Sequence, residues 1–234
     1  MALTNWFNEW LVFSLALLFV WFVVFMFRKG LRKEMFFVSL FTIPFGLTEP
    51  LFVPEYWNPP SLFNLAAITG FDIESLIFSF AIGGIGAVLY NAFFKVKYKK
   101  IGKHEMHSKR YRFHLIALFS PIIVFLIVSL FTKLNPIYSA SIAMFIGGIA
   151  TILCRPDLKK EVWMGGILFL LLYFIFFLFF LLVYPYAVES FWNLSAISGI
   201  LIFGIPIEEL IFAFTYGMLW SSAYEHILWH NLRK

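Results

Sequence analysis

The chain has 234 residues, of which 62% are hydrophobic, 21% aromatic and only 13% charged. A soluble domain of this size has no means of hiding that much apolar surface, so the composition selects an all-α integral membrane protein. The net charge of +5 follows the loops and does not point to nucleic acid, while the single cysteine, Cys154, excludes an intrachain disulfide and any cysteine-cluster metal site.

Runs of ~20 apolar residues mark membrane spans. In chain order they predict seven transmembrane helices, at 8–27, 35–53, 72–94, 113–131, 136–154, 163–184 and 205–229. The first run lacks a basic stretch before it and is long enough to cross, so it reads as a span and not as a cleavable signal. The segment from Pro54 to Phe71 carries Tyr56, Trp57, Pro59, Pro60 and Phe63, a composition that predicts an interfacial or partly re-entrant linker. Of the 18 Lys and Arg, 17 follow spans one, three, five and seven, and only Lys133 falls on the other side. The positive-inside rule then places the protein in the cytoplasmic (inner) membrane with its N-terminus outside and its C-terminus in the cytoplasm. The basic loops are expected to meet solvent and anionic membrane lipid.

The chain also repeats itself. Residues 55–90 laid on 189–224 match at 12 of 36 positions without a gap. The matches include Glu55/Glu189, Gly70/Gly204, Glu74/Glu208, Gly83/Gly217 and Tyr90/Tyr224. Trp57-Asn58 also corresponds to Trp192-Asn193 if one residue is inserted. Spans one to three thus map onto spans five to seven, leaving span four as a connector. Equivalent spans lie an even number apart, so the two three-helix repeats are parallel. The expected units are a first repeat at 1–94, a basic loop and connector helix at 95–134, and a second repeat at 135–234.

Ionisable groups are expensive inside a bilayer and mark function by default. The outer half holds Glu49, Glu55, Asp72, Glu74, Glu189, Glu208 and Glu209, with no Lys or Arg on the same segments. A carboxyl taken out of water without a basic partner keeps its proton, because desolvation disfavours the charged form; such a group is a usable acid near neutral pH. Glu208, Glu209, Glu74 and Glu49 are therefore the candidate catalytic residues. A structural role competes with this. Pro206-Ile207-Glu208-Glu209 is also a good helix start, where acidic side chains complement the dipole. Adjacent residues point ~100° apart, so at most one of the pair faces the bundle centre. Trp57, Phe78, Trp192, Phe212 and Tyr216 are candidates to line a substrate pocket, where aromatic faces stabilise a cation. Glu225 and His226 read as solvated residues at the cytoplasmic end.

No metal and no cofactor is expected. His104, His107, His114, His226 and His230 form no metal-binding helix pair. Gly83-Gly84-Ile85-Gly86 follows no strand and reads as a helix-packing surface, as do Gly147-Gly148 and Gly165-Gly166.

Thr48-Glu49-Pro50-Leu51-Phe52-Val53-Pro54-Glu55-Tyr56-Trp57 and Pro206-Ile207-Glu208-Glu209-Leu210-Ile211-Phe212 resemble the integral-membrane lycopene cyclase domain family, whose members occur as two small subunits or as both units fused. The resemblance covers both repeats and the connector. It implies a lycopene β-cyclase, an isomerase of carotenoid biosynthesis that closes the linear ends of lycopene, or of a related carotenoid, into β-ionone rings without a flavin domain. It further implies association with other enzymes of that pathway. The first repeat departs from the pattern, with Asp72-Ile73-Glu74-Ser75 where the second has Pro-Ile-Glu-Glu. Two other classes compete: a proton-coupled transporter, since intramembrane carboxyls also form relays, and a non-catalytic scaffold of isoprenoid metabolism. Against the transporter, no acidic chain crosses the inner halves of the spans.

Overall fold

The computed structural model describes residues 8–94, 98–100 and 111–232. Lys95, Lys97, Lys103, His104, His107, Lys109, Arg110, Arg233 and Lys234 lie outside the described residues.

The chain is dominated by helix. In order it forms α1 (Glu9–Phe27), α2 (Arg32–Thr42), a 3-10 helix (Ile43–Leu51), α3 (Leu65–Thr69), α4 (Ile73–Phe94), β1 (Tyr98–Lys100), α5 (His114–Phe131), α6 (Pro136–Cys154), α7 (Lys159–Val183), α8 (Ala187–Phe191), β2 (Leu201–Ile202), β3 (Ile205–Pro206), α9 (Ile207–Trp220), α10 (Ala223–Ile227) and β4 (His230–Leu232). Among the described residues, α1, α4, α5, α6 and the stretch Pro156–Val183 that contains α7 are long and apolar enough to cross a membrane. A predominantly helical membrane protein follows from these five.

Two of the seven expected spans are broken. The 35–53 run is α2, 11 residues and about 17 Å long at 1.5 Å per residue, continued by the 3-10 segment. Pro50 lies inside that segment and Pro44 near its start, and each removes a backbone donor that an α-helix would need. The 205–229 run is α9, a turn at Ser221–Ser222, and the five-residue α10. The Ser221 hydroxyl donates to the Glu161 carbonyl oxygen at 3.2 Å.

The fold divides into two compact units, and the division falls within α4, α7 and α9. The first comprises residues 1–85 and 174–209, the second 86–173 and 210–234. In the first, α2 packs on α4 through small residues. The Thr42 hydroxyl donates to the Ser79 carbonyl oxygen at 2.8 Å, and Trp21 Nε1 donates to Ser39 Oγ at 2.8 Å. A Cβ on Gly83 would strike Thr42, and one on Gly84 would strike Ser39 and Trp21. The glycine run is thus the packing surface expected from the sequence. The second unit uses the same device, with Gly147 against Pro121 and Gly165 against Ser221.

The matched glycines share a conformation. Gly70 has φ 85° and Gly204 has φ 84°, the left-handed region that glycine enters without a Cβ penalty. Each sits shortly before the helix that carries the matched glutamate.

Candidate functional site

The candidate catalytic residues Glu49, Glu74, Glu208 and Glu209 are all buried and all belong to the first unit, as does the buried Asp72. Two linkers position them. The first runs from the 3-10 segment to α4; the second runs from α7 to α9. They pair at Trp57 and Trp192 through an isolated antiparallel bridge. The hydrogen bonds are reciprocal: the Asn58 N–H donates to the Phe191 carbonyl at 2.7 Å, and the Asn193 N–H donates to the Tyr56 carbonyl at 2.8 Å. The residues joined here are those that correspond between the two repeats when one residue is inserted.

Glu209 lies under this seam. Its Oε1 accepts from Tyr56 Oη at 2.6 Å and from Trp192 Nε1 at 2.9 Å. Trp192 Nε1 also lies 3.1 Å from Tyr56 Oη, so the three groups form a closed triangle. One donor comes from each linker. Glu208 turns to the second linker, where its Oε1 accepts the Ser198 N–H at 3.0 Å. Glu74, in the first turn of α4, does the same with the first linker. Its Oε1 accepts the Leu62 N–H at 2.7 Å and Asn8 Nδ2 at 2.8 Å. The matched glutamates Glu74 and Glu208 therefore perform one task, each binding a backbone N–H of the linker that leads to its helix. They are 0% and 1% exposed.

Glu49 and Asp72 form a third group. Glu49 Oε2 accepts the Asp72 N–H at 3.1 Å. Asp72 Oδ1 accepts the Ser75 N–H at 2.6 Å, which is the geometry of a helix N-cap. Asp72 thus caps α4 while its carboxyl stays beside Glu49 in the acidic group. Glu55 and Glu189 are exposed.

The aromatic residues around these carboxyls form a continuous chain. Trp10 meets Trp57 edge-on at 4.5 Å between ring centroids and Phe78 at 5.1 Å. Trp57 meets Trp192 at 5.6 Å, and Trp192 meets Phe177 at 5.6 Å. Phe13 extends the chain to Phe180 at 4.8 Å. Beyond Phe13 lies an open groove of ≈ 200 Å³, lined by Val12, Phe13, Ala16, Phe176, Phe180 and Tyr184 among others. Of the five aromatic residues expected at a pocket, Trp57, Phe78 and Trp192 share the unit that holds the carboxyls. Phe212 and Tyr216 belong to the second unit. There Tyr216 packs on Phe212 at 5.5 Å and on Phe169 at 5.1 Å.

Sequence reading missed Asn8, Trp10 and the carboxyl partnership of Tyr56. Tyr56 was visible only as an interfacial aromatic, and Asn8 only as the first residue of the run 8–27. Glu225 and His226 require a correction. They are 0% and 2% exposed, not solvated. Asn91 Nδ2 lies 3.5 Å from Glu225 Oε1, and the Glu225 carbonyl accepts from Arg155 Nη1 at 3.3 Å.

Buried carboxyls held by neutral donors, set among aromatic faces in a predominantly helical membrane protein, are groups that can carry proton chemistry in an apolar setting. The comparison with known families is specific. The lycopene cyclase family model matches residues 8–93 and again residues 135–227, so this chain belongs to the lycopene cyclase family and carries its unit twice. Searches of curated proteins and of solved structures gave no match.

Proposed function

We propose that the protein is a lycopene β-cyclase that closes the linear ends of lycopene, or of a closely related carotenoid, by acid-initiated isomerisation. The observation that carries this reading is the triangle of Glu209, Tyr56 and Trp192 beside a chain of aromatic rings. One member of the Glu208–Glu209 pair donates a proton to the terminal C1=C2 double bond and leaves a tertiary cation at C1. The C5=C6 double bond attacks it, forming the C1–C6 bond and moving the cation to C5. A neighbouring carbon then loses a proton to a carboxylate and the ring is complete. The proton count is unchanged and no electrons are exchanged, so the step needs no redox partner. Glu74 assists by hydrogen bonding or accepts the final proton, and Glu49 is the next candidate. Trp57, Phe78 and Trp192 offer π faces to the cation. Phe212 and Tyr216 remain candidates for the substrate surface. The groove at Phe13 and Phe180 suits entry of a hydrocarbon tail from lipid.

A bacterium engineered to accumulate lycopene tests this directly. Expression of the protein is expected to replace red lycopene by an orange, ring-containing carotenoid. Unchanged lycopene, with the protein demonstrably in the membrane, overturns the assignment for this substrate and favours the transporter or scaffold reading.

The repeat layout and orientation belong to the same proposal. Residues 1–94 and 135–234 are the two parallel repeats and 95–134 the connector. The seven-pass arrangement counts the two broken helices as spans. The 11 residues of α2 with the nine of the 3-10 helix rise together by about 35 Å, enough to cross the hydrocarbon. Reporter fusions after Lys33, Lys103 and Lys160 are expected to report cytoplasm, and a fusion at Pro60 the outside. A cytoplasmic signal at Pro60 reverses the orientation.

A further inference from the structure

The second unit contains a cluster that the cyclisation chemistry does not use. His114 begins α5, Cys154 ends α6, and His226 lies in α10. All three are buried, and one ligand atom from each lies within 4.8 Å of the others. Cys154 Sγ is 3.8 Å from His114 Nδ1. Bond lengths of ~2.3 Å to sulfur and ~2.0–2.1 Å to nitrogen, at a tetrahedral angle, require the two atoms to be about 3.6 Å apart. That pair is therefore already at metal-binding spacing. The His114 and His226 rings meet edge to face at 4.6 Å, and Trp229 stacks on His114 at 3.9 Å, fixing its plane.

His226 supplies an independent sign. Its Nδ1 is 3.3 Å from Thr151 Oγ1, while its Nε2 is buried and has no hydrogen-bond partner among the described residues. A ligating histidine commonly gives one ring nitrogen to an outer partner and the other to the metal. An unmet imidazole nitrogen in a 2% exposed residue costs stability unless something binds it. Arg155 donates from Nη2 to Asp157 Oδ2 at 2.7 Å and from Nε to Asp157 Oδ1 at 3.0 Å, so its guanidinium charge is balanced locally.

We infer that His114, Cys154 and His226 form a zinc-type metal site that ties α5 to α6 and α10. One thiolate and two imidazoles are a borderline-soft donor set that suits Zn²⁺. Binding releases the thiol proton and leaves one coordination position for a small exogenous ligand. The sequence rule against cysteine clusters did not address a mixed set, and 40 and 72 residues separate its members along the chain.

The protein, purified in detergent through a histidine-free tag and without chelator, is expected to carry about one zinc ion per chain by elemental analysis. Replacing zinc with Co²⁺ is expected to give the visible bands of a tetrahedral ion and a near-ultraviolet thiolate charge-transfer band. Cys154→Ser should abolish that charge-transfer band. Thr151→Val should weaken metal affinity ~10- to 100-fold, as loss of an outer partner does. A cobalt spectrum of the unaltered protein with no thiolate band overturns the proposal, whether or not the variants fold. So does Cys154→Ser with its metal content unchanged, which would mean adventitious metal only.

Discussion

Glu→Gln substitution at the true proton donor is expected to lower cyclised product ~100- to 10,000-fold while the protein still accumulates in the membrane. Glutamine is a close mimic here. Its Oε1 still accepts from Tyr56 and Trp192, whose donors lie 2.6 and 2.9 Å from Glu209 Oε1, and it loses only the acidic proton. Glu208→Gln likewise retains an acceptor for the Ser198 N–H. The capping alternative makes the opposite forecast: a stability loss of ~1 kcal/mol with normal turnover per folded molecule. Membrane abundance and cyclised carotenoid, measured together for Glu208→Gln and Glu209→Gln, decide between them. If both variants keep near-normal turnover at normal abundance, the donor lies elsewhere.

Gly46→Ala is expected to destabilise the protein by ~1–3 kcal/mol, the usual cost of overpacking, and to reduce activity with it. A Cβ at this position would lie 2.7 Å from the Ser75 carbonyl oxygen and 2.8 Å from the Leu76 nitrogen. Both are backbone atoms of the first turn of α4, so no side-chain rotation relieves the clash. The same turn carries Glu74, and its displacement would disturb the hydrogen bonds to Leu62 and Asn8. Gly30→Ala is the matched control, since nothing lies within 4 Å of its added methyl. Thermal unfolding in detergent is expected to show a lowered midpoint for Gly46→Ala and a midpoint at or above normal for Gly30→Ala. Equal behaviour of the two variants would mean that the 3-10 segment and α4 are not in that contact.

The acidic residues were legible because burying a carboxyl in an apolar run is costly and is sustained only where the group has a task. Glu74 and Glu208 stood out further because the chain writes them twice. Gly70 and Gly204 were legible for a related reason, since both copies need a left-handed turn that a Cβ would penalise. The breaks in the second and last expected spans were not. Hydropathy counts apolar residues and is insensitive to how prolines and a serine pair interrupt the hydrogen-bond ladder. The partners of Glu209 were also hidden. Tyr56 lies 153 residues away along the chain, and Asn8 lies 66 residues from Glu74, so neither pairing has a local signature. The capping bond of Asp72 was hidden as well, because a capping aspartate looks like any other until the Ser75 N–H is located.

The seam at Trp57 and Trp192 has a consequence for how far the two copies of the family unit depend on each other. A duplicated gene ordinarily leaves one copy free to drift while the other preserves the original task. Here Glu209, in the second copy, takes one donor from its own linker and one from the linker of the first. The reciprocal backbone bonds bind those linkers residue for residue. A change in either copy is therefore judged by its fit to the other. The first copy, which lacks the Pro-x-Glu-Glu helix start, still supplies Tyr56 to the triangle. Cleaved apart, neither half would contain a whole triangle, and only their reunion would restore it.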